Sequence, residues 1–208
     1  MAPLTPTWTQ PSHPSIQEVE HATDGSFSTR SISKVTLPPF AVYAKLAFPP
    51  CTEATEPTYA TVQMGKDKHL NLNSDLLYIN HSCEPSLIFD MSSFNVLVGP
   101  KGIKAGDELT FFYPSTEWSM AQPFPCNCST PSCRGTISGA KDMSPKSLEG
   151  LWLSAHIRQL LEERDAKEAA DASSSAAGGL KKVNGVSPKD GVTSRELSGE
   201  MGGDTVRA

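Results

Sequence analysis

Residues 78–85 read Tyr78-Ile79-Asn80-His81-Ser82-Cys83-Glu84-Pro85, and they make sense only beside two later stretches. These are Gly106-Asp107-Glu108-Leu109-Thr110-Phe111-Phe112-Tyr113, and Cys126-Asn127-Cys128 followed by Cys133. Cys126 and Cys128 stand one residue apart and Cys133 follows on a loop containing Pro131, so three thiols can turn inward on one small cation. Tetrahedral zinc bound by soft thiolates needs four donors. The cysteines left for the fourth place are Cys51 and Cys83.

The three blocks together, with Arg134 and Gly135 behind Cys133, resemble the second half of a SET domain with its post-SET zinc loop. They come in family order and at family-like separations, and the likeness covers residues 20–140, most closely from Tyr59 onward. SET domains are lysine methyltransferases that use S-adenosylmethionine. The resemblance therefore implies a mainly β fold, with short strands in small sheets and a knot-like crossing of the chain, followed here by a C-terminal α-helix. It also implies roles. Cys83 would join Cys126, Cys128 and Cys133 on one structural zinc, which leaves Cys51 without a task. Asn80 and His81, with Tyr78, would frame the cofactor, and Trp118 and Phe124 stand where an aromatic covers the adenine, although Trp118 suits plain core equally well. Tyr113 would be the catalytic tyrosine. Methyl transfer from a sulfonium to an amine is an in-line displacement, so a neutral amine must meet the methyl carbon in a narrow, oxygen-lined channel. A phenol can serve there without ionising.

The chain departs from the family pattern in four places. Gly25-Ser-Phe-Ser-Thr-Arg-Ser-Ile keeps one of the two glycines that let backbone approach the cofactor. Leu77 stands where many members carry Arg, Ser86 replaces a closing asparagine, and Phe112 replaces the usual Asp before the tyrosine. These departures leave two rivals to an amine methyltransferase. One is a SET-fold enzyme turned to small-molecule metabolism without methyl transfer, the other a non-catalytic binding module stabilised by zinc.

The 208 residues, 38% of them hydrophobic, suit one domain with a modest core and a tail. A net charge of -5 argues against direct nucleic-acid binding, and an acidic rim suits a basic peptide. No apolar run reaches membrane-spanning length, and the opening Met1-Ala-Pro-Leu-Thr-Pro lacks the basic start and apolar core of a signal peptide. Five cysteines in a Cys-x-Cys pattern fit a reducing compartment. The expectation is an intracellular monomer, nuclear or cytoplasmic, whose partner is a protein lysine or a small amine, with no membrane contact.

Along the chain, residues 1–24 read as a loosely ordered lead-in with an edge strand near residues 16–20, and 25–120 as the SET-like domain. Within it, the apolar run 40–48 between two Pro-Pro pairs reads as a buried strand with Tyr43 in the core, and 51–58 as a loop. Two short strands surround Gly65-Lys-Asp, and 87–91, 94–98 and 108–113 are strand-like. Residues 121–140 form the zinc loop. Ser144-Pro145 starts a helix in the preferred manner, and Leu148, Leu151, Trp152, Ala155, Ile157, Leu160 and Leu161 give it an apolar stripe over 141–166. From Lys167 to the end the composition predicts disorder. His69 and His156 read as packing or surface histidines without ligand partners.

Overall fold

A computed structural model describes residues 5–24 and 28–177. The Gly25 turn therefore lies outside the described residues, as do 1–4 and 178–208. Strands β1 (Gln17–His21) and β2 (Thr29–Ser33) pair antiparallel, from Gln17 opposite Ser33 to His21 opposite Thr29. Next come β3 (Val42–Lys45), β4 (Thr52–Ala54), β5 (Thr61–Gly65) and β6 (Lys68–Asn71), of which the last three form a sheet in the order β4-β6-β5. The Gly65-Lys-Asp turn is closed by the Gln63 amide, which donates to the carbonyls of Gly65 (2.9 Å) and Lys66 (3.0 Å). β4 falls inside the predicted loop. It is a largely exposed edge strand with no apolar alternation, so periodicity carries no sign of it.

The larger sheet contains β7 (Asn80–His81), β8 (Leu87–Asp90), β9 (Asn95–Val98) and β10 (Thr110–Phe111), in the order β3-β9-β8-β10-β7. β10 is inserted between β8 and β7 and runs parallel to both. Beneath these sheets Leu46, Leu70, Leu72, Leu76, Ile79, Leu87, Phe89, Val96, Val98 and Leu109 are buried in one apolar cluster, with Phe89 stacked on Phe111 at 4.1 Å. Cys51 belongs to this core: its thiol donates to the Leu72 carbonyl at 3.5 Å, and burial pushes its pKa up to about 11.

The lead-in is tied down more firmly than its composition predicts. Trp8 Nε1 and Gln10 Nε2 donate to Asp75 Oδ1 at 2.8 and 2.9 Å, and the Ser12 N–H donates to Oδ2 at 2.6 Å. Asp75 is buried and opens the 3₁₀ turn Asp75–Tyr78 that leads directly into β7. These contacts span more than sixty residues of chain, which is why local reading misses them.

A further two-stranded pair, β11 (Phe124–Pro125) and β12 (Thr136–Ile137), brackets the cysteine loop. The predicted single C-terminal helix is two. Ser144 caps α1 (Pro145–Leu148) as expected, accepting from the Ser147 N–H at 3.3 Å, but the helix stops after one turn. Glu149 is extended, and Gly150 takes a left-handed conformation (φ 74°) that Cβ-bearing residues adopt reluctantly. α2 (Ala155–Ala177) then begins afresh and runs ten residues past the expected start of disorder at Lys167. The chain divides into compact units 1–169 and 170–208. In the second, the described part continues as helix, with Ser173 Oγ donating to the Ala170 carbonyl. No helix of the described residues is long and apolar enough to cross a membrane.

Candidate active site

The pairing of β10 with β7 sets the site. Thr110 lies opposite Asn80 and Phe111 opposite His81, so Tyr113, two residues further on, arrives beside the Asn-His pair. The Tyr113 phenol donates to the Ile79 carbonyl at 3.3 Å, and its backbone N–H donates to His81 Nδ1 at 3.2 Å. Nδ1 is thus an acceptor, which leaves the imidazole proton on Nε2, 3.5 Å from Cys83 Sγ. Burial, helped by the Arg134 guanidinium, lowers the His81 pKa to about 4, so the ring is a neutral bridge between tyrosine and cysteine. Asn80 Nδ2 donates to the Thr29 carbonyl at 2.5 Å, fastening β7 to β2. Phe124 packs edge-on against His81 (5.8 Å) and Tyr113 (5.9 Å).

Two cavities meet here. A groove of about 1270 Å³ is lined by Ser28, Asn80, His81, Tyr113, Phe124 and Cys126, among others. A smaller pocket of about 300 Å³ is lined by Tyr59, Val62, Phe111, Tyr113, Glu117, Met120 and Phe124 with four neighbours. Tyr113 and Phe124 belong to both walls. Of the predicted cofactor residues, Asn80, His81 and Phe124 line the groove. Tyr78 and Trp118 do not. Tyr78 packs instead with Trp8 (6.4 Å) and His21 (5.9 Å), because a side chain at the end of the 3₁₀ turn faces the lead-in. Trp118 lies where its N–H meets Gln63 Oε1 at 2.8 Å and its carbonyl accepts from Lys141.

The four predicted metal-binding thiols converge. The Sγ atoms of Cys83, Cys126, Cys128 and Cys133 all lie within 4.8 Å of one another, and Cys83 and Cys126 are 3.9 Å apart. Corners of a tetrahedron around zinc lie about 3.8 Å apart when each sulfur is about 2.3 Å from the metal, so the cluster fits such an ion. Backbone N–H groups already point at the sulfurs, Arg134 at Cys83 (3.3 Å) and Cys128 at Cys126 (3.5 Å). Burial opposes the thiolate at Cys83, Cys126 and Cys128 alike. Only at Cys128 do hydrogen bonds, led by the Thr130 hydroxyl, overcome it, bringing the pKa down to about 6, while Cys126 is pushed up to about 12. A cation among the sulfurs would favour the thiolate form of all four.

Two of the departures from the family pattern, Ser86 and Phe112, are absorbed locally. Ser86 Oγ donates to the Glu108 carbonyl at 3.0 Å and accepts from the Thr110 N–H at 2.9 Å, tying the first block to the second with a shorter side chain. Phe112 is buried with Met143 and Leu148, and the Arg134 guanidinium lies 5.2 Å from its ring centroid. Arg134 also reaches the carbonyls of Cys83 (3.1 Å) and Ser147 (2.6 Å), clamping the end of the cysteine loop. Sequence reasoning passed over the role of Arg134 and passed over Glu117 altogether. Glu117 Oε1 accepts from the Gln63 N–H at 2.8 Å, a partner more than fifty residues away that no local pattern reveals.

No sequence-family profile matches the chain. It is 47% identical over 163 residues to Methyltransferase flvH of Aspergillus flavus, covering 77% of this chain and 89% of that protein. It is 38% identical over 73 residues to Histone-lysine N-methyltransferase ash1 of Drosophila melanogaster, which covers 33% of this chain but 3% of ash1. Among solved structures it overlaps KRYPTONITE in complex with mCHG DNA and SAH, with a TM-score of 0.42 and 19% identity over 58% of this chain and 28% of that one. A second KRYPTONITE complex, with mCHH DNA, H3(1-15) peptide and SAH, overlaps with a TM-score of 0.39 and 18% identity, over 58% of this chain and 29% of that one. Family membership rests on the sequence relatives: agreement along nearly the whole of one methyltransferase, and across the shorter segment shared with a histone-lysine enzyme, makes this chain a member of the SET-domain family of methyltransferases.

Proposed function

We propose that the protein transfers a methyl group from S-adenosylmethionine to an amine, on a lysine side chain or a related small amine. The observation that carries this reading is the partition formed by Tyr113 and Phe124, one face on the groove and the other on the smaller pocket. A donor in the groove and an acceptor in the pocket would meet across these rings. The groove has the volume for a nucleoside-sized ligand, and Asn80, His81 and Phe124 would hold it there. When bound, S-adenosylmethionine supplies an electrophilic methyl carbon on a sulfonium.

Tyr113 would be the catalytic residue. Burial and the nearby Glu117 carboxylate raise its pKa, so it acts as a neutral phenol whose oxygen orients the incoming nitrogen. One structural zinc on Cys83, Cys126, Cys128 and Cys133 would hold the loop that carries Phe124 and Cys126 against the groove. Such a site is closed, with four protein ligands and no open position for chemistry.

The test is transfer of radiolabelled methyl from S-adenosylmethionine to lysine-containing peptides, cell extract and small amines, using zinc-loaded full-length protein. Labelled product from at least one amine acceptor is expected. Failure of the protein to bind S-adenosylmethionine in calorimetry would overturn the reading.

A further inference from the structure

Among the described residues the smaller pocket has one charged side chain in its wall, and no counter-ion reaches it. Glu117 is half-buried there among Val62, Phe111, Tyr113, Met120 and Phe124, and no ion pair reaches it among the described residues. Its position is fixed. Oε1 accepts from the Gln63 N–H at 2.8 Å and from the Thr116 hydroxyl at 3.0 Å, while no protein donor reaches Oε2 among the described residues. An ionised carboxylate placed among apolar walls is costly unless a cation joins it. The strain appears in its titration, which burial pushes up to about 7 against the hydrogen bonds from Gln63 and Thr116. The same charge is close enough to raise the Tyr113 phenol.

We propose that Glu117 captures the acceptor as an ammonium ion, pairing through Oε2 with a primary or secondary alkylammonium whose chain lies along the apolar wall; the ammonium then loses a proton to solvent before its neutral nitrogen attacks the methyl carbon. This rests on the reading of the smaller pocket as the acceptor channel of a methyltransferase. A neutral alcohol or thiol of the same shape would leave the carboxylate uncompensated, so Glu117 is a specificity-determining residue. The aromatic faces of Tyr59 and Phe124 in the same wall favour a cation for the same electrostatic reason.

Other titratable groups stand around it. Tyr59 and Tyr113 line the pocket, His156 on α2 bonds the Thr116 carbonyl at 2.8 Å, and His69 on β6 is near His156. Burial lowers the pKa of both histidines and raises that of Tyr113. Glu117 is the acidic group in the pocket wall, and ammonium affinity follows its ionisation.

The experiment titrates n-butylammonium and n-butanol into zinc-loaded full-length protein saturated with S-adenosylhomocysteine, by ligand-observed NMR at pH 6 and pH 8. The wild type is expected to prefer n-butylammonium by at least about tenfold at pH 8 and to lose most of that preference at pH 6. In Glu117→Gln, which keeps the size and the acceptor for the Gln63 N–H, the preference is expected to vanish at both pH values. Unchanged affinity for S-adenosylhomocysteine certifies the fold of the variant. A preference that survives in Glu117→Gln, or equal wild-type binding of amine and alcohol at both pH values, overturns the proposal and leaves the methyltransferase reading intact. Failure of S-adenosylhomocysteine to bind overturns that reading instead, and the amine titration on ligand-free protein still decides the role of Glu117.

Discussion

Tyr113 and Glu117 lie four residues apart and are set against each other by the same burial. The tyrosine gains little from ionising, and its hydroxyl proton is donated to the Ile79 carbonyl, which leaves the oxygen lone pairs for the acceptor. Tyr113→Phe removes the oxygen while keeping the ring that divides groove from pocket. The expected outcome is a fall in kcat of about 100-fold with affinity for S-adenosylhomocysteine unchanged, read by single-turnover methyl transfer and calorimetry. Glu117 makes the opposite kind of prediction, one about stability. Its folded pKa, about 7, lies above the ordinary 4.5, so between those values the folded chain keeps a proton that the unfolded chain has lost. This contribution is fully present below pH 4.5 and is lost as the pH rises through 7. With allowance for partial exposure the loss is about 2 kcal/mol. Glu117→Gln should therefore raise Tm by about 4–8 °C at pH 8, with the gain disappearing near pH 4.5 in thermal melts followed by circular dichroism. A carboxylate that weakens the fold at neutral pH is what a binding group looks like before its ligand arrives.

Elements show where local reading succeeds. The strands flanking Gly65-Lys-Asp and those at 87–90 and 95–98 carry β-branched and apolar residues between turn residues, and they formed as expected. β4 lacked that pattern, and the break between α1 and α2 was hidden because the apolar stripe continues through it in leucines that pack without helical geometry. The segment after the cysteine loop depends on one glycine. Gly139 has φ 121°, and a Cβ there would stand 2.5 Å from the Trp118 carbonyl oxygen. That close approach lets the N–H groups of Ala140 and Lys141 donate to the carbonyls of Glu117 and Trp118 at 2.9 Å each. Gly139→Ala must move backbone against backbone, at a cost of about 2–4 kcal/mol. The expected outcome is a lower urea midpoint with an unchanged m-value, together with weaker amine transfer because the Glu117 backbone shifts.

At the scale of the molecule, the order of three short motifs carried most of the fold. The Asn-His block, the tyrosine strand and the cysteine loop are separated by tens of residues and meet at one groove because β10 slots between β7 and β8. Partners that lie far away in sequence stayed invisible, as with Asp75 and the lead-in or Glu117 and Gln63, since neither partner has a distinctive spacing. The cysteine cluster gives the sharpest test of how the molecule divides its labour. Its thiols lie outside the main apolar cluster, which is built largely from β3 to β10. The loop between β11 and β12, by contrast, is short and mostly exposed, with little apolar packing of its own to hold it. Removing zinc with a strong chelator should therefore leave far-UV circular dichroism largely intact at 20 °C while lowering Tm by about 10 °C, as expected for a loss of about 3–4 kcal/mol in a chain of this size. Because Phe124, Cys126 and Cys128 form part of the groove wall, binding of S-adenosylhomocysteine should vanish with the metal and return when zinc is restored. Global unfolding on chelation would place the metal within the folding core, and undiminished binding would detach the loop from the groove.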